Sequence, residues 1–157
     1  MHNYTLCFIK KGHQILMLNR LYSPNMGKWN GVGGKIEAGE TPQQSVIREV
    51  YEETGLSVDN PELVGTVTWI LNDAISGMYV YISSIPTSTD FSTPVNVAEG
   101  ILDWKDIDWV LNVKNTGIAD NVQEFLPVML NGENVDHRFS YNVNEEMIDY
   151  IKLPLTV

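Results

Sequence analysis

Three glutamates in the segment SVIREVYEET, Glu49, Glu52 and Glu53, are spaced i, i+3 and i+4. On a helix this spacing stacks their carboxylates on one face within reach of each other. Three anions so close repel one another unless a cation sits among them. Hard divalent ions want such oxygen ligands, and Mg²⁺ takes a few carboxylates, keeps waters and binds substrate phosphate. Val46, Ile47 and Val50 point largely elsewhere, so one helix can both pack and carry a metal. Taken alone, an acidic helical face is more often simply solvated, so the surrounding residues must decide.

The element that positions the carboxylates is well marked. Thr41 can N-cap a helix, Pro42 fits its first position, Gln44 completes a capping box and Gly55 supplies the stop. Residues 19–39, rich in Gly, Pro and Asn, read as one long loop, and loops of that length in compact domains are usually functional. Before it, 4–9 and 14–18 read as a hairpin around Lys10–His13. After the helix, strands are expected at 63–71 and 77–85, joined through Asn72-Asp73, then a Ser/Thr loop from Pro86 to Pro94. A short strand at 101–104 and a helical turn in DIDWVL follow. A second helix is expected over about 120–131, with Pro127 near its start or kinking it. Residues 135–143 read as a late edge strand, and NEEMIDYI as a short terminal helix or tail. The interleaving predicts an α+β fold, a mixed sheet between helices, in one domain over 1–157.

Composition narrows the partners. With 10 Lys+Arg against 20 Asp+Glu the formal charge is −10, so the surface repels duplex nucleic acid. A phosphate ester bound here needs positive charge from elsewhere, and a divalent metal supplies it. No apolar run reaches the roughly 18 residues of a membrane span. The polar start MHNYTLCFIKKG is unlike a signal peptide. A lone cysteine, Cys7, excludes an internal disulfide and is expected buried in its strand. His2, His13 and His137 form no metal-like cluster in sequence. A cytoplasmic protein, monomer or homodimer, is the expectation.

From Gly34 the chain reads Gly, five residues, Glu40, seven residues, then Arg48-Glu49-Val50-Tyr51-Glu52-Glu53-Thr54-Gly55-Leu56. This resembles the signature of the Nudix (MutT-like) hydrolases at every fixed position. The resemblance implies an α/β/α sandwich and Mg²⁺-dependent hydrolysis, Mn²⁺ substituting, of a nucleoside diphosphate linked to another group. It implies metal ligation by Glu49, Glu52 and Glu53, with the Gly33 carbonyl a further candidate. Arg48 would orient a neighbouring glutamate, Glu40 would brace the loop, and Gly34 and Gly55 would be structural. Glu49, then Glu53, is the expected acceptor of the attacking water's proton.

Outside the box, the string WNGVGGK is similar to the oxidised-purine nucleoside triphosphatases of the MutT group. That resemblance implies a base contact by Asn30, a basic residue beside the substrate at Arg20, and an aromatic ring against the base at Trp69. It also implies a metal-facing carboxylate at Glu99 in EGILDW, and purine reading by Asp120 or Asn121, which are equally good helix N-caps. The expected reaction turns a purine (d)NTP such as 8-oxo-dGTP into NMP and pyrophosphate. KNTGIADN lacks the tryptophan that walls the vertebrate base pocket, a clear departure. Other leaving groups (ADP-ribose, dinucleoside polyphosphates, 5′-triphosphorylated RNA) stay open, as does a non-catalytic nucleotide sensor, against which the complete set of box glutamates argues.

Overall fold

A computed structural model describes residues 2–119 and 121–155. The chain opens with β1 (His2–Lys11) and β2 (Gln14–Arg20), then β3 (Trp29–Asn30), β4 (Val32–Lys35) and α1 (Pro42–Thr54). It continues through β5 (Glu62–Leu71), β6 (Ala74–Ser84), β7 (Val95–Val97), β8 (Gly100–Asp106) and α2 (Ile107–Leu111). The last elements are α3 (Val122–Leu130), β9 (Val135–Tyr141) and β10 (Met147–Pro154). The strands form one mixed sheet in the order β10-β9-β5-β6-β1-β2-β8-β7. Pairing is parallel between β1 and β6 and between β5 and β9.

Alternation along the central strands builds a layer on each face of the sheet. Leu6 and Phe8 of β1 join Ile15 and Met17 of β2 in one core, closed by Ile107 and Val110 of α2 and Val122, Phe125, Leu126 and Met129 of α3. Cys7, Ile9, Leu16 and Leu18 point the other way, under Val46 and Val50 of α1. Each of those two valines is fully buried, worth about 1.5–3 kcal/mol apiece. They fasten the helix that carries the glutamates.

The sheet forks where the site lies. β1 pairs with β4 along Tyr4–Cys7 and with β2 along Ile9–Lys11. The short β3 attaches to the far end of β2, Leu18 and Asn19 facing Asn30 and Trp29. The split brings the glycine-bearing β4 against α1, and only glycine fits there: a Cβ on Gly33 would sit 2.0 Å from the Thr5 carbonyl oxygen.

Several expectations need correction. The segment 19–39 is not one loop, because β3 and β4 lie within it; they are too short for periodicity to reveal. β7 is a further strand between the expected Pro86–Pro94 loop and the strand expected at 101–104. Pro127 sits sixth in α3, inside the helix rather than at its start. β9 is no edge strand: it runs between β5 and β10. NEEMIDYI is neither helix nor tail but a turn followed by β10. The Asn142 side-chain oxygen accepts the N–H groups of Asn144 and Glu146, which reverses the chain, and Tyr150 then stacks on Phe139 with centroids 4.5 Å apart. Among the described residues no helix is long and apolar enough to cross a membrane.

Candidate active site

α1 forms as its termini dictate. Thr41 accepts the Gln44 N–H at 3.1 Å while the Gln44 side chain accepts the Thr41 N–H at 2.9 Å. At the other end Gly55 takes the left-handed conformation, φ 80°, and its N–H bonds the Tyr51 carbonyl. Between the caps, Arg48 organises the acidic residues. Its Nε and Nη2 grip both oxygens of Glu40 at 2.6 and 2.9 Å, and Nη1 reaches Glu49 at 3.0 Å and Glu52 at 3.2 Å. Nη2 also donates to the Lys35 carbonyl, tying α1 to the end of β4. The arginine hydrogen bonds hold the Glu40 carboxyl down at about 2, and Glu40 in turn accepts the Glu37 N–H, bracing the loop before the helix.

Glu53 has the most unusual surroundings. It is 6% exposed, and its Oε2 accepts the Gly33 N–H at 2.8 Å. Burial, with the adjacent charges of Glu49 and Glu99, pushes its carboxyl up to about 8. Burial likewise raises Glu49, with Arg48 opposing. Gly34 is what makes room for Glu49: a Cβ there would lie 2.5 Å from the Glu49 carboxylate.

Glu99 joins this group from the turn between β7 and β8. Its backbone oxygen accepts the Leu21 N–H, while its Oε2 is buried with no hydrogen-bond partner. A buried acceptor left unpaired costs about 1–3 kcal/mol, a cost that a bound cation would remove. The remaining expected ligands are less assembled. Glu52 is exposed and turned to Arg48, while the Gly33 N–H is held by Glu53. Among the described residues no three acidic, histidine or cysteine side chains stand together as a finished metal cage, because each box carboxylate is turned to a protein partner. The donor set nonetheless fits a hard divalent ion: oxygen-only, anionic, repelling within itself and holding one orphaned oxygen.

The proposed base-side residues are spread around the fork. Arg20, at the end of β2, donates from Nε to the Pro24 carbonyl at 2.7 Å and its charge partly offsets the rise at Glu53. The Asn30 side-chain oxygen accepts the Gly31 N–H at 2.8 Å, so its own turn engages one half of the amide. Trp69 is half-buried on β5 and packs against the core that α2 and α3 close. Asn121 begins α3 but makes no side-chain cap, having a left-handed backbone; its amide donates instead to the Tyr141 hydroxyl. Asp120 lies outside the described residues. Sequence reasoning missed Tyr141, whose strand was not read as lying beside β5.

A forked mixed sheet with a capped, arginine-organised carboxylate helix is the architecture of a Nudix hydrolase, and comparison agrees. The NUDIX domain matches residues 2–111. The chain is 31% identical over 149 residues to the uncharacterized Nudix hydrolase YvcI of Bacillus subtilis, covering 93% of this chain and 90% of that protein. It is 26% identical to the mouse oxidized purine nucleoside triphosphate hydrolase, over 94% and 91% of the two chains. It shares 46% identity over 63 residues with the NAD-capped RNA hydrolase NudC of Haemophilus influenzae, 39% of this chain and 24% of that one. The crystal structure of a MutT protein from Bacillus halodurans superposes with a TM-score of 0.80 at 27% identity, covering 99% of this chain and all of that one. The chain belongs to the Nudix hydrolase family.

Proposed function

We propose that this Nudix hydrolase is a divalent-metal-dependent nucleoside triphosphate pyrophosphohydrolase that acts on purine (d)NTPs, 8-oxo-dGTP among them, and releases NMP and pyrophosphate. The observation that carries the chemistry is the buried Glu53 carboxyl held on the Gly33 N–H, together with Glu99, whose buried Oε2 has no hydrogen-bond partner and whose charge acts on Glu53. Glu49, Glu52, Glu53 and Glu99 would hold Mg²⁺, with Mn²⁺ as substitute. When bound, the ion neutralises phosphate charge and acidifies a water. Glu49, 15% exposed at its side chain and steadied on one oxygen by Arg48, takes the proton of the attacking water. Arg48 is the positioning residue for Glu49, and Glu40 for Arg48.

Support for a purine triphosphate comes from two sides. The mouse enzyme named for oxidized purine nucleoside triphosphates matches nearly end to end, whereas the match to NudC covers only a quarter of that protein. Trp69 also offers a half-buried ring for stacking, and Asn30 retains its amide N–H₂ for an acceptor on the base edge. A nucleotide-pool sanitation role in the cytoplasm follows from this substrate. The test is turnover with Mg²⁺ on 8-oxo-dGTP, the ordinary (d)NTPs, ADP-ribose, a dinucleoside polyphosphate, NAD-capped RNA and 5′-triphosphorylated RNA, with Glu53→Gln as control. Pyrophosphate release with kcat/KM for 8-oxo-dGTP well above dGTP supports the reading. Preferential cleavage of a dinucleotide or capped RNA replaces the substrate, and binding without turnover overturns the enzyme assignment.

A further inference from the structure

β3 is two residues long and pairs with β2 at only two positions, too short to hold its place by ladder bonds alone. The side chain of Trp29 adds further contacts. Its ring meets Trp109 of α2 edge-on, centroids 6.2 Å apart. The Lys105 ammonium sits over both indoles, 4.6 Å from Trp29 and 4.9 Å from Trp109, and is itself steadied by Asp103 at 3.2 Å. Both rings thus face one cation on β8, an arrangement that gains from ring electrostatics.

The main chain of Trp29 connects this clamp to the site. Its N–H bonds the Gly117 carbonyl and its carbonyl accepts the Ala119 N–H, each at 2.8 Å. One residue therefore joins β3 to the segment 117–119, with Asn30 next to it in sequence. The far end of that segment is tied to α2 as well, through the Asn115 amide on the Trp109 carbonyl at 3.0 Å.

From this geometry we infer that Lys105 is a positioning residue for nucleobase recognition, setting Asn30 and the approach to Asn121 through the ring of Trp29. The inference rests on the reading of Asn30 as a base contact. Lys105 lies apart from the carboxylates, so its effect belongs in substrate affinity and base discrimination rather than in the chemical step.

The test compares Lys105→Met, which keeps the aliphatic stem and drops the charge, with Lys105→Arg, Asn30→Ala and the Lys105→Met/Asn30→Ala double variant. The readouts are kcat and KM for 8-oxo-dGTP and dGTP in the full chain with Mg²⁺. Lys105→Met should raise KM roughly tenfold for the preferred base with kcat within about twofold, and Lys105→Arg should recover most of that loss. The double variant should be little worse than Asn30→Ala, because the two residues act on one contact. Asn30→Ala raising KM while Lys105→Met does not, or Lys105→Met lowering kcat instead, overturns the role of Lys105 alone. Asn30→Ala leaving KM and base preference unchanged removes the base-contact reading, and the inference about Lys105 with it.

Discussion

Replacing Glu53 by glutamine should stabilise the metal-free protein at alkaline pH while abolishing turnover. The carboxyl is pushed from its ordinary 4.5 up to about 8 by burial and by the charges of Glu49 and Glu99. Because the folded-state value lies above the unfolded one, the group costs nothing at acid pH. As pH rises from about 4.5 through about 8, the unfolded chain has released the proton while the folded chain still holds it, and stability falls. At 1.36 kcal/mol per pH unit the upper bound is about 5 kcal/mol. Solvent on the open side of the site and side-chain relaxation reduce this to roughly 2–3 kcal/mol. Glutamine keeps an oxygen for the Gly33 N–H and removes the charge. Thermal unfolding in chelator should then show wild type and Glu53→Gln nearly equal at about pH 5, with the variant higher by roughly 5–10 °C at about pH 9. Mg²⁺ should raise the wild type's Tm by mass action and move the variant little. A variant equally destabilised at both pH values, or a wild type as responsive to Mg²⁺ as the variant, would refute the placement of a strained carboxyl at the centre of the metal site.

Three other expectations follow from single contacts. Gly34→Ala should weaken the Mg²⁺ dependence and cut kcat by an order of magnitude or more, since its Cβ would meet the Glu49 carboxylate at 2.5 Å; a Mg²⁺ titration of the rate tests it, and a wild-type curve would show that Glu49 tolerates displacement. His137 is fully buried between Phe125 and Tyr150, and burial lowers it to about 4. Its contribution to stability is thus complete above about pH 6.5 and lost as pH falls toward 4, and His137→Phe should flatten the acid limb of a Tm–pH profile. Burial pushes the Cys7 thiol up to about 12, so the native protein should resist alkylation at neutral pH that the denatured protein accepts, a difference mass spectrometry reads directly.

The local signals survived into the structure where the physics is local. Thr41, Pro42, Gln44 and Gly55 bound α1 as their types imply, and Asn72 and Asp73 make the β5–β6 turn by taking positive φ. The alternation of β1 and β2 divides cleanly between the two cores. The misreadings lie where partners decide: β3 and β4 are strands because β2 and β1 run beside them, and β10 is a strand because β9 supplies a ladder and Phe139 a ring for Tyr150.

The sequence by itself determined the helix that bears the glutamates, because helix spacing and capping act over a few residues, while the family and the place of Arg48 beside Glu49 came from resemblance to a known signature. Only the tertiary structure decided that the charge of Glu99 acts on Glu53 from a distant part of the chain, and that Gly33 and Gly34 are small so that a strand and a carboxylate can approach. It likewise decided that Lys105 of β8 lies over the Trp29 ring of β3. Contacts between distant segments depend on sheet order and register, and neither is written in the spacing of any one segment.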